Sequence, residues 1–243
     1  SRGGLPEIDE ARRLISKKTK AIVLVTPNNP TGATYPPDLL RGFFKLCQKH
    51  GIKLIIDETY KDFLTEQPPH QLFEISDWGG TLIQVYSFSK CFSLTGYRVG
   101  SVIAGENVIE SVTKIMDSVA ICAPRIAQDA ALYGLEHLTS WVAEKRNMLK
   151  RRRELFNKLF RENNLSFEVI SSGAYFAYVE HQYDNKNAYQ VAQDLLDKEN
   201  ILSLPGTFFG PNQERFLRFA YANITRKEIT DVIDRLNVSF NKP

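Results

Sequence analysis

The segment Ala21-Ile22-Val23-Leu24-Val25 is wholly apolar, rich in β-branched residues, and stopped by Pro27-Asn28-Asn29-Pro30-Thr31-Gly32. An apolar run this short, bounded by prolines and a glycine, reads as a buried strand. A helix follows it. Pro36-Pro37-Asp38 opens the helix, and Leu39, Leu40, Phe43, Phe44 and Cys47 keep the 3.6-residue period. Gly51 stands where a glycine just past the helix would end it. Ile52 to Ile56 is a second strand of the same type and runs onto Asp57. Thr81 to Val85 is a third, ending before Ser87, and Val99 to Ala104 a fourth. Continuous apolar strands joined by helices or long crossovers predict an α/β fold, its mostly parallel sheet covered on both faces. Ligands of such sheets bind beyond the carboxyl ends of the strands.

The second half has a different rhythm. A long helical stretch is expected from about Arg125 to Arg161, kinked near Gly134 and running down to Asn163-Asn164. Strands follow at Phe167 to Ile170 and Ala174 to Val179, then a helix at about Ala188 to Lys198. A strand at Phe216 to Ala220 precedes a last helix with Thr225 as its N-cap. The antiparallel-style spacing predicts a smaller C-terminal α+β domain. The expected organisation is residues 1–130 in the α/β domain, 131–160 as a connecting helix, and 161–243 as the small domain.

Composition narrows the partners. The 243 residues carry 31 Lys+Arg against 28 Asp+Glu, a net charge of +3 that gives no reason to expect nucleic acid or a membrane surface. Cys47, Cys91 and Cys122 are odd in number and form no CxxC pair, which suits free thiols in a reducing compartment and speaks against a metal site. No apolar run approaches the ~20 residues of a membrane span, and the first residues lack the apolar core of a signal peptide. Cytosol is therefore the expected compartment. No GxG and no GxxxxGK occurs, so the dinucleotide and phosphate-loop fingerprints are missing. His50, His70, His137 and His181 are scattered without metal-ligand spacing, and each reads as an ordinary surface or core residue. Lys150-Arg151-Arg152-Arg153 lies within a helical pattern beside Leu149, Leu155 and Phe156, and reads as a solvated helix face.

One constellation remains. Asn29-Pro30-Thr31-Gly32 follows the first strand, Asp57-Glu58-Thr59-Tyr60 ends the second, and Ser87-Phe88-Ser89-Lys90 ends the third. Gly96-Tyr97-Arg98-Val99-Gly100 comes shortly after, and Arg218 sits in the late strand. Singly, NPTG is a sound turn, Asp57 could cap a helix and Lys90 could be a surface lysine. Their order, each at a strand end, is harder to explain as turns.

This set resembles the class I/II aminotransferases, pyridoxal 5'-phosphate (PLP) enzymes of the aspartate-aminotransferase fold. The most specific part is Ser87-Phe88-Ser89-Lys90 followed by Leu94-Thr95-Gly96-Tyr97-Arg98-Val99-Gly100, similar to that family's Schiff-base lysine segment. The resemblance implies that Lys90 forms the Schiff base with PLP and that Asp57 faces the pyridine nitrogen. Asn29 and Tyr60 would contact the ring 3-oxygen, Ser87, Ser89 and Arg98 would hold the phosphate, Arg218 would bind the substrate α-carboxylate, and Asn29 would also count among the substrate-binding residues. The residue types suit these roles. A neutral lysine amine is a nucleophile and then a proton carrier. A buried carboxylate keeps a ring nitrogen protonated, and the arginine fork fits phosphate or carboxylate bidentately. Ser172-Gly173-Ala174-Tyr175-Phe176 resembles the family's GAFY-type strand, a core strand with a bulge glycine being the other reading. Ile121 to Gln128 falls where the family's dimer partner reaches the neighbouring site, with Cys122-Ala123-Pro124-Arg125 where Ser, Thr or Asn is common.

The implied activity is transfer of an amino group between an amino acid and a 2-oxo acid, by a cytoplasmic homodimer of biosynthetic amino-acid metabolism. A PLP-dependent lyase of the same fold and a catalytically incomplete fragment are the alternatives. The family's front segment, with its phosphate loop and ring-stacking aromatic, has no match before Ala21, so the sequence reads as the carboxyl-terminal two thirds of such an enzyme.

Overall fold

The computed structural model describes residues 2–65 and 70–240. The chain forms two compact units, one of Pro6–Pro27 and Thr34–Arg146, the other of Ser1–Leu5, Asn28–Ala33 and Asn147–Pro243.

The first unit is built on a four-stranded sheet in the order β1 (Ala21–Val25), β2 (Lys53–Asp57), β3 (Leu82–Ser87), β4 (Gly100–Ala104). β1, β2 and β3 are parallel, while β4 runs antiparallel to β3. A short helix, α1 (Ile8–Leu14), precedes β1. α2 (Pro37–His50) makes the crossover from β1 to β2 and buries Leu40, Phe43, Phe44 and Cys47, one face at helical spacing. Leu40, Phe43 and Phe44 each contribute roughly 1.5–3 kcal/mol on leaving water. Gly51 ends α2 in the left-handed conformation at φ 63°, its N–H reaching the carbonyls of Cys47 and Gln48. The expected cover on both faces is not complete among the described residues: Val23 of β1 is 61% exposed.

α3 (Phe88–Cys91) continues directly from β3, and α4 (Glu106–Val119), α5 (Arg125–His137) and α6 (Thr139–Glu162) follow β4. α4 has no counterpart among the sequence expectations. Val108, Ile109, Val112, Ile115, Met116 and Val119 do keep a helical period, but such a β-branched run also reads as strand. The single long helix with a kink near Gly134 is corrected. The break falls at Leu138, ahead of Thr139-Ser140, residue types that favour helix starts. Gly134 stays helical and serves packing, because a Cβ there would lie 2.5 Å from Phe92 Cδ2.

The second unit holds an antiparallel sheet in the order β5 (Phe167–Gly173), β6 (Phe176–His181), β8 (Phe216–Ala220), β7 (Leu204–Pro205). One face packs Ala177, Val179, Leu217 and Phe219 against Phe156 and Phe160 of α6, Val191 and Leu195 of α7 (Ala188–Glu199), and Ile229 and Ile233 of α8 (Arg226–Ser239). Capping boxes start both later helices, Asn187 with Gln190 and Thr225 with Glu228. The strand expected over Ala174 to Val179 is corrected at its start: Ala174, at φ 46°, and Tyr175 form the hairpin turn between β5 and β6. The irregularity in this hairpin lies between Val169 and Ser171 rather than at Gly173. The basic run is not uniformly solvated, since Arg152 Nη1 donates to the Ala222 carbonyl.

Candidate active site

Strand register brings most of the predicted residues of the first unit to one end of its sheet. Asp57 closes β2 and pairs with Val85 of β3, and Ser87 closes β3 two residues further on. Ser87 pairs in turn with Gly100 of β4, two residues after Arg98. Asp57 is half-buried, and its Oδ1 accepts from the Thr59 N–H at 2.9 Å and from Thr59 Oγ1 at 2.7 Å. Tyr60 is buried immediately beyond. Ser87 is the N-cap of α3, its Oγ accepting from the Ser89 N–H at 3.2 Å. Ser89 is buried, and Lys90 is half-buried on the same turn. Arg98 is exposed and held at φ 56°, a left-handed conformation uncommon outside glycine, with Nη1 donating to the Thr95 carbonyl at 3.0 Å.

A second layer fixes this turn. Phe88, Cys91 and Val99 pack with Ala127 and Ala131 of α5, and the Phe88 and Phe92 rings stack 5.9 Å apart. Tyr86 donates to Asp62 Oδ2, while Lys61 Nζ lies 4.9 Å from its ring centroid. Burial, followed by the bond to Asp62, pushes the Tyr86 phenol far up, so it stays a donor. Burial also pushes the Cys91 thiol up to about 11, leaving this neighbour of Lys90 protonated at neutral pH.

Asn29 and Arg218 belong to the second unit. Residues 28–33 close a tight loop: Asn28 N–H donates to the Ala33 carbonyl, Gly32 N–H donates to the Asn28 carbonyl, and Asn28 Oδ1 accepts from Thr31. The loop lies on the β5–β6 hairpin, where Ser171 Oγ donates to the Thr31 carbonyl at 2.6 Å. Gly32, at φ 71°, permits this approach; a Cβ there would lie 2.4 Å from Gly173 N and 2.5 Å from Phe176 O. On β8, Leu217 and Phe219 face the core, and Arg218 points from the other face, opposite Tyr178 of β6. Its Nη1 donates to Asn29 Oδ1 at 2.8 Å. The guanidinium carbon stands 4.6 Å from the Phe176 centroid and 4.9 Å from that of Phe209. Phe176 lies in the segment likened to the GAFY-type strand, but nothing in the sequence points to a contact of either aromatic with Arg218. Phe209 carried a faint signal, an aromatic pair within Pro205-Gly206-Thr207-Phe208-Phe209-Gly210, but its partner is remote in sequence.

Comparison with known proteins assigns the class. The family model described as aminotransferase class I and II matches residues 5–236, and the chain belongs to that family, whose enzymes depend on PLP. The chain is similar to an aspartate aminotransferase of Thermotoga maritima, 28% identical over 236 residues, covering 97% of this chain and 60% of that protein. An aspartate aminotransferase of Pyrococcus horikoshii is 30% identical over 235 residues, covering 96% and 59% respectively. Among solved structures, an aromatic aminotransferase from Pyrococcus horikoshii superposes with a TM-score of 0.88 at 27% identity, covering 97% of this chain and 63% of that one. The chain therefore spans about 60% of the length of these relatives. The fold is that of the aspartate aminotransferases.

The donor set of the first unit fits PLP. It offers an amine for the aldehyde, a carboxylate fixed by Thr59 for the ring nitrogen, a phenol for the ring oxygen, and hydroxyl and guanidinium donors for the phosphate.

Proposed function

We propose that this protein moves an amino group between an amino acid and a 2-oxo acid, with PLP as cofactor. The observation that carries this reading is the register that sets Asp57, Ser87 and, through Gly100, Arg98 at one end of the sheet, with Lys90 one turn beyond Ser87. Lys90, Asp57 and Tyr60 are the catalytic residues. Asn29, Asp57, Tyr60, Ser87, Ser89, Lys90 and Arg98 hold the cofactor, and Arg218 with Asn29 takes the substrate carboxylate. When bound, PLP supplies covalent capture of the amine and a ring that accepts electron density from Cα.

The chain's own groups do the rest. Lys90 Nζ acts first as a nucleophile and then as the base that takes the substrate Cα proton and later returns one. The Asp57 carboxylate, held at the strand end by Thr59, keeps a proton on the ring nitrogen by its charge. Tyr60 Oη donates a hydrogen bond to a phenolate oxygen. Ser87 Oγ and the Arg98 fork bind a dianionic phosphate. Arg218, planar and braced between Phe176 and Phe209, orients a substrate by its carboxylate so that the Cα–H bond is presented in one direction.

We further propose cytoplasmic action in biosynthetic amino-acid metabolism, as a homodimer. Three free cysteines support the compartment, and exposed Ile115, Val119, Ile121 and Ile126 support the self-association. Among the described residues no helix is long and apolar enough to cross a membrane. We assign residues 1–130 to the cofactor domain and 161–243 to the small domain; the connecting stretch 131–160 holds the end of α5 and most of α6, broken at Leu138.

The test is an assay of the protein loaded with PLP, offering an amino acid with and without a 2-oxo acid. Amino group appearing on the oxo acid supports the reading. Turnover that needs no acceptor, or a folded, PLP-loaded protein that transfers nothing across a broad panel, contradicts it.

A further inference from the structure

β2 leaves the ladder at Asp57, and the next side chain, Glu58, turns to the sheet face that carries the buried Leu54 and Ile56. Glu58 is 6% exposed. A carboxylate taken that far out of water costs several kcal/mol unless donors meet it. Here two do. Gln84, buried on the same face of β3, donates from Nε2 to Glu58 Oε2. His70 Nε2 lies 3.3 Å from Glu58 Oε1. The Leu72 N–H donates to His70 Nδ1 at 3.2 Å, which leaves the ring proton on Nε2, toward the carboxylate. Burial works against ionisation of Glu58, but the His70 ring and the Gln84 amide, with the Lys61 charge behind them, outweigh it and hold the carboxyl below its usual range.

The proposed reaction uses none of these three side chains, and apolar residues would fill the sheet face without desolvating a charge. Their place in the chain gives them a use. Asp57 is the last residue of the ladder, its carbonyl accepting from the Thr26 N–H at 3.0 Å. Beyond it the backbone of 58–60 keeps the Glu58 N–H bond to the Val85 carbonyl at 3.0 Å and the local turn bonds from Lys61 N–H to the Glu58 carbonyl and from Phe63 N–H to the Tyr60 carbonyl, each at 3.0 Å. The Glu58 side chain adds two anchors, one to β3 and one to His70. Asp57 precedes it directly, and Tyr60 lies two residues on.

We propose that Glu58, His70 and Gln84 are positioning residues that pin the 57–60 segment, so that Asp57 and Tyr60 meet the cofactor preformed. The inference rests on the reading that Asp57 and Tyr60 hold PLP. A site held by locked neighbours binds without first ordering itself, and loosening that support weakens binding even where no contact is removed.

The experiment measures the PLP dissociation constant by absorbance titration, and the melting temperature without PLP, for the whole protein and its variants. Glu58→Ala and His70→Ala each weaken PLP binding about tenfold or more, while His70→Gln, which keeps a donor near the Nε2 position, stays within about threefold of wild type. In an Asp57→Asn background the Glu58→Ala effect shrinks to about threefold or less, as expected of a group acting through its neighbour. Should Glu58→Ala fail to fold, Gln84→Met, close to it in volume, carries the same cycle with Asp57→Asn. Wild-type binding in Glu58→Ala or Gln84→Met, or an effect that persists in full beside Asp57→Asn, overturns the inference alone. A wild-type protein that does not take up PLP overturns the site reading and this inference together.

Discussion

Arg218 Nη1 donates to Asn29 Oδ1 at 2.8 Å although the two residues are 189 positions apart. The contact joins the loop after β1 to the middle of β8, and it is set by backbone on both sides. Gly32 lets the loop lie against the β5–β6 hairpin, and the strand alternation of β8 turns Arg218 away from the core. A carboxylate meeting this arginine meets a cation already fixed in one plane.

Loss of that plane is predicted to act on substrate affinity. Arg218→Lys keeps the charge but removes the fork and its stacking on two rings, and KM for both amino acid and oxo acid should rise about 100-fold. Phe209→Ala removes one ring and should raise KM about fivefold with little change in kcat. Steady-state kinetics on both variants checks this; an unchanged KM in Arg218→Lys contradicts the assigned role.

Ser87 is predicted to serve twice. Ser87→Ala deletes the acceptor of the Ser89 N–H and should cost about 1 kcal/mol of stability in urea unfolding. As a phosphate contact it should also weaken PLP binding by about tenfold. A stability loss with unchanged PLP affinity would leave Ser87 as a helix cap only.

His181 sets a pH dependence. It is fully buried, Nε2 lies 3.1 Å from the Glu214 carbonyl, and Nδ1 accepts from the Tyr183 N–H at 3.3 Å. Burial depresses its pKa below the ordinary 6.5. The unfolded chain therefore takes up a proton first, so stability is fully present above about 6.5 and falls as pH drops toward the lower folded value. Urea midpoints measured from pH 8 to 5 should decline more steeply for wild type than for His181→Gln. Equal slopes would remove His181 as the cause.

Gly32 and Gly51 share a left-handed backbone, at φ 71° and 63°, but differ in surroundings. A Cβ at Gly51 meets nothing within 4 Å, whereas one at Gly32 meets backbone of Gly173 and Phe176. Gly51→Ala should cost about 1–2 kcal/mol, the conformational penalty alone. Gly32→Ala should cost clearly more, roughly 3 kcal/mol or above, since backbone must move. Calorimetric melting of both variants separates the two, and similar losses would contradict the close approach.

The residues that proved legible in sequence are those whose signal is local. β1 and its proline-rich stop, α2 with Gly51, and α8 behind Thr225 follow from period, cap and turn chemistry within one segment. The break at Leu138 is not legible because a glycine in a helix can mark a kink or a packing contact, and at Gly134 only the remote Phe92 decides between them. α4 was hidden by its β-branched composition. In the site, the strand-end residues could be found from their order along the chain. The bracing of Arg218 by Phe176 and Phe209, and the burial of Glu58 against His70 and Gln84, arise from pairings between distant segments that no local pattern encodes.

The central claim is that Lys90 is the residue on which PLP is carried. Borohydride reduction of the PLP-loaded protein, followed by digestion and peptide mass analysis, tests it directly. The account predicts one modified peptide, containing Lys90, and loss of that label in Lys90→Ala with the protein still folded. A label on another lysine, or labelling that survives in Lys90→Ala, would contradict it.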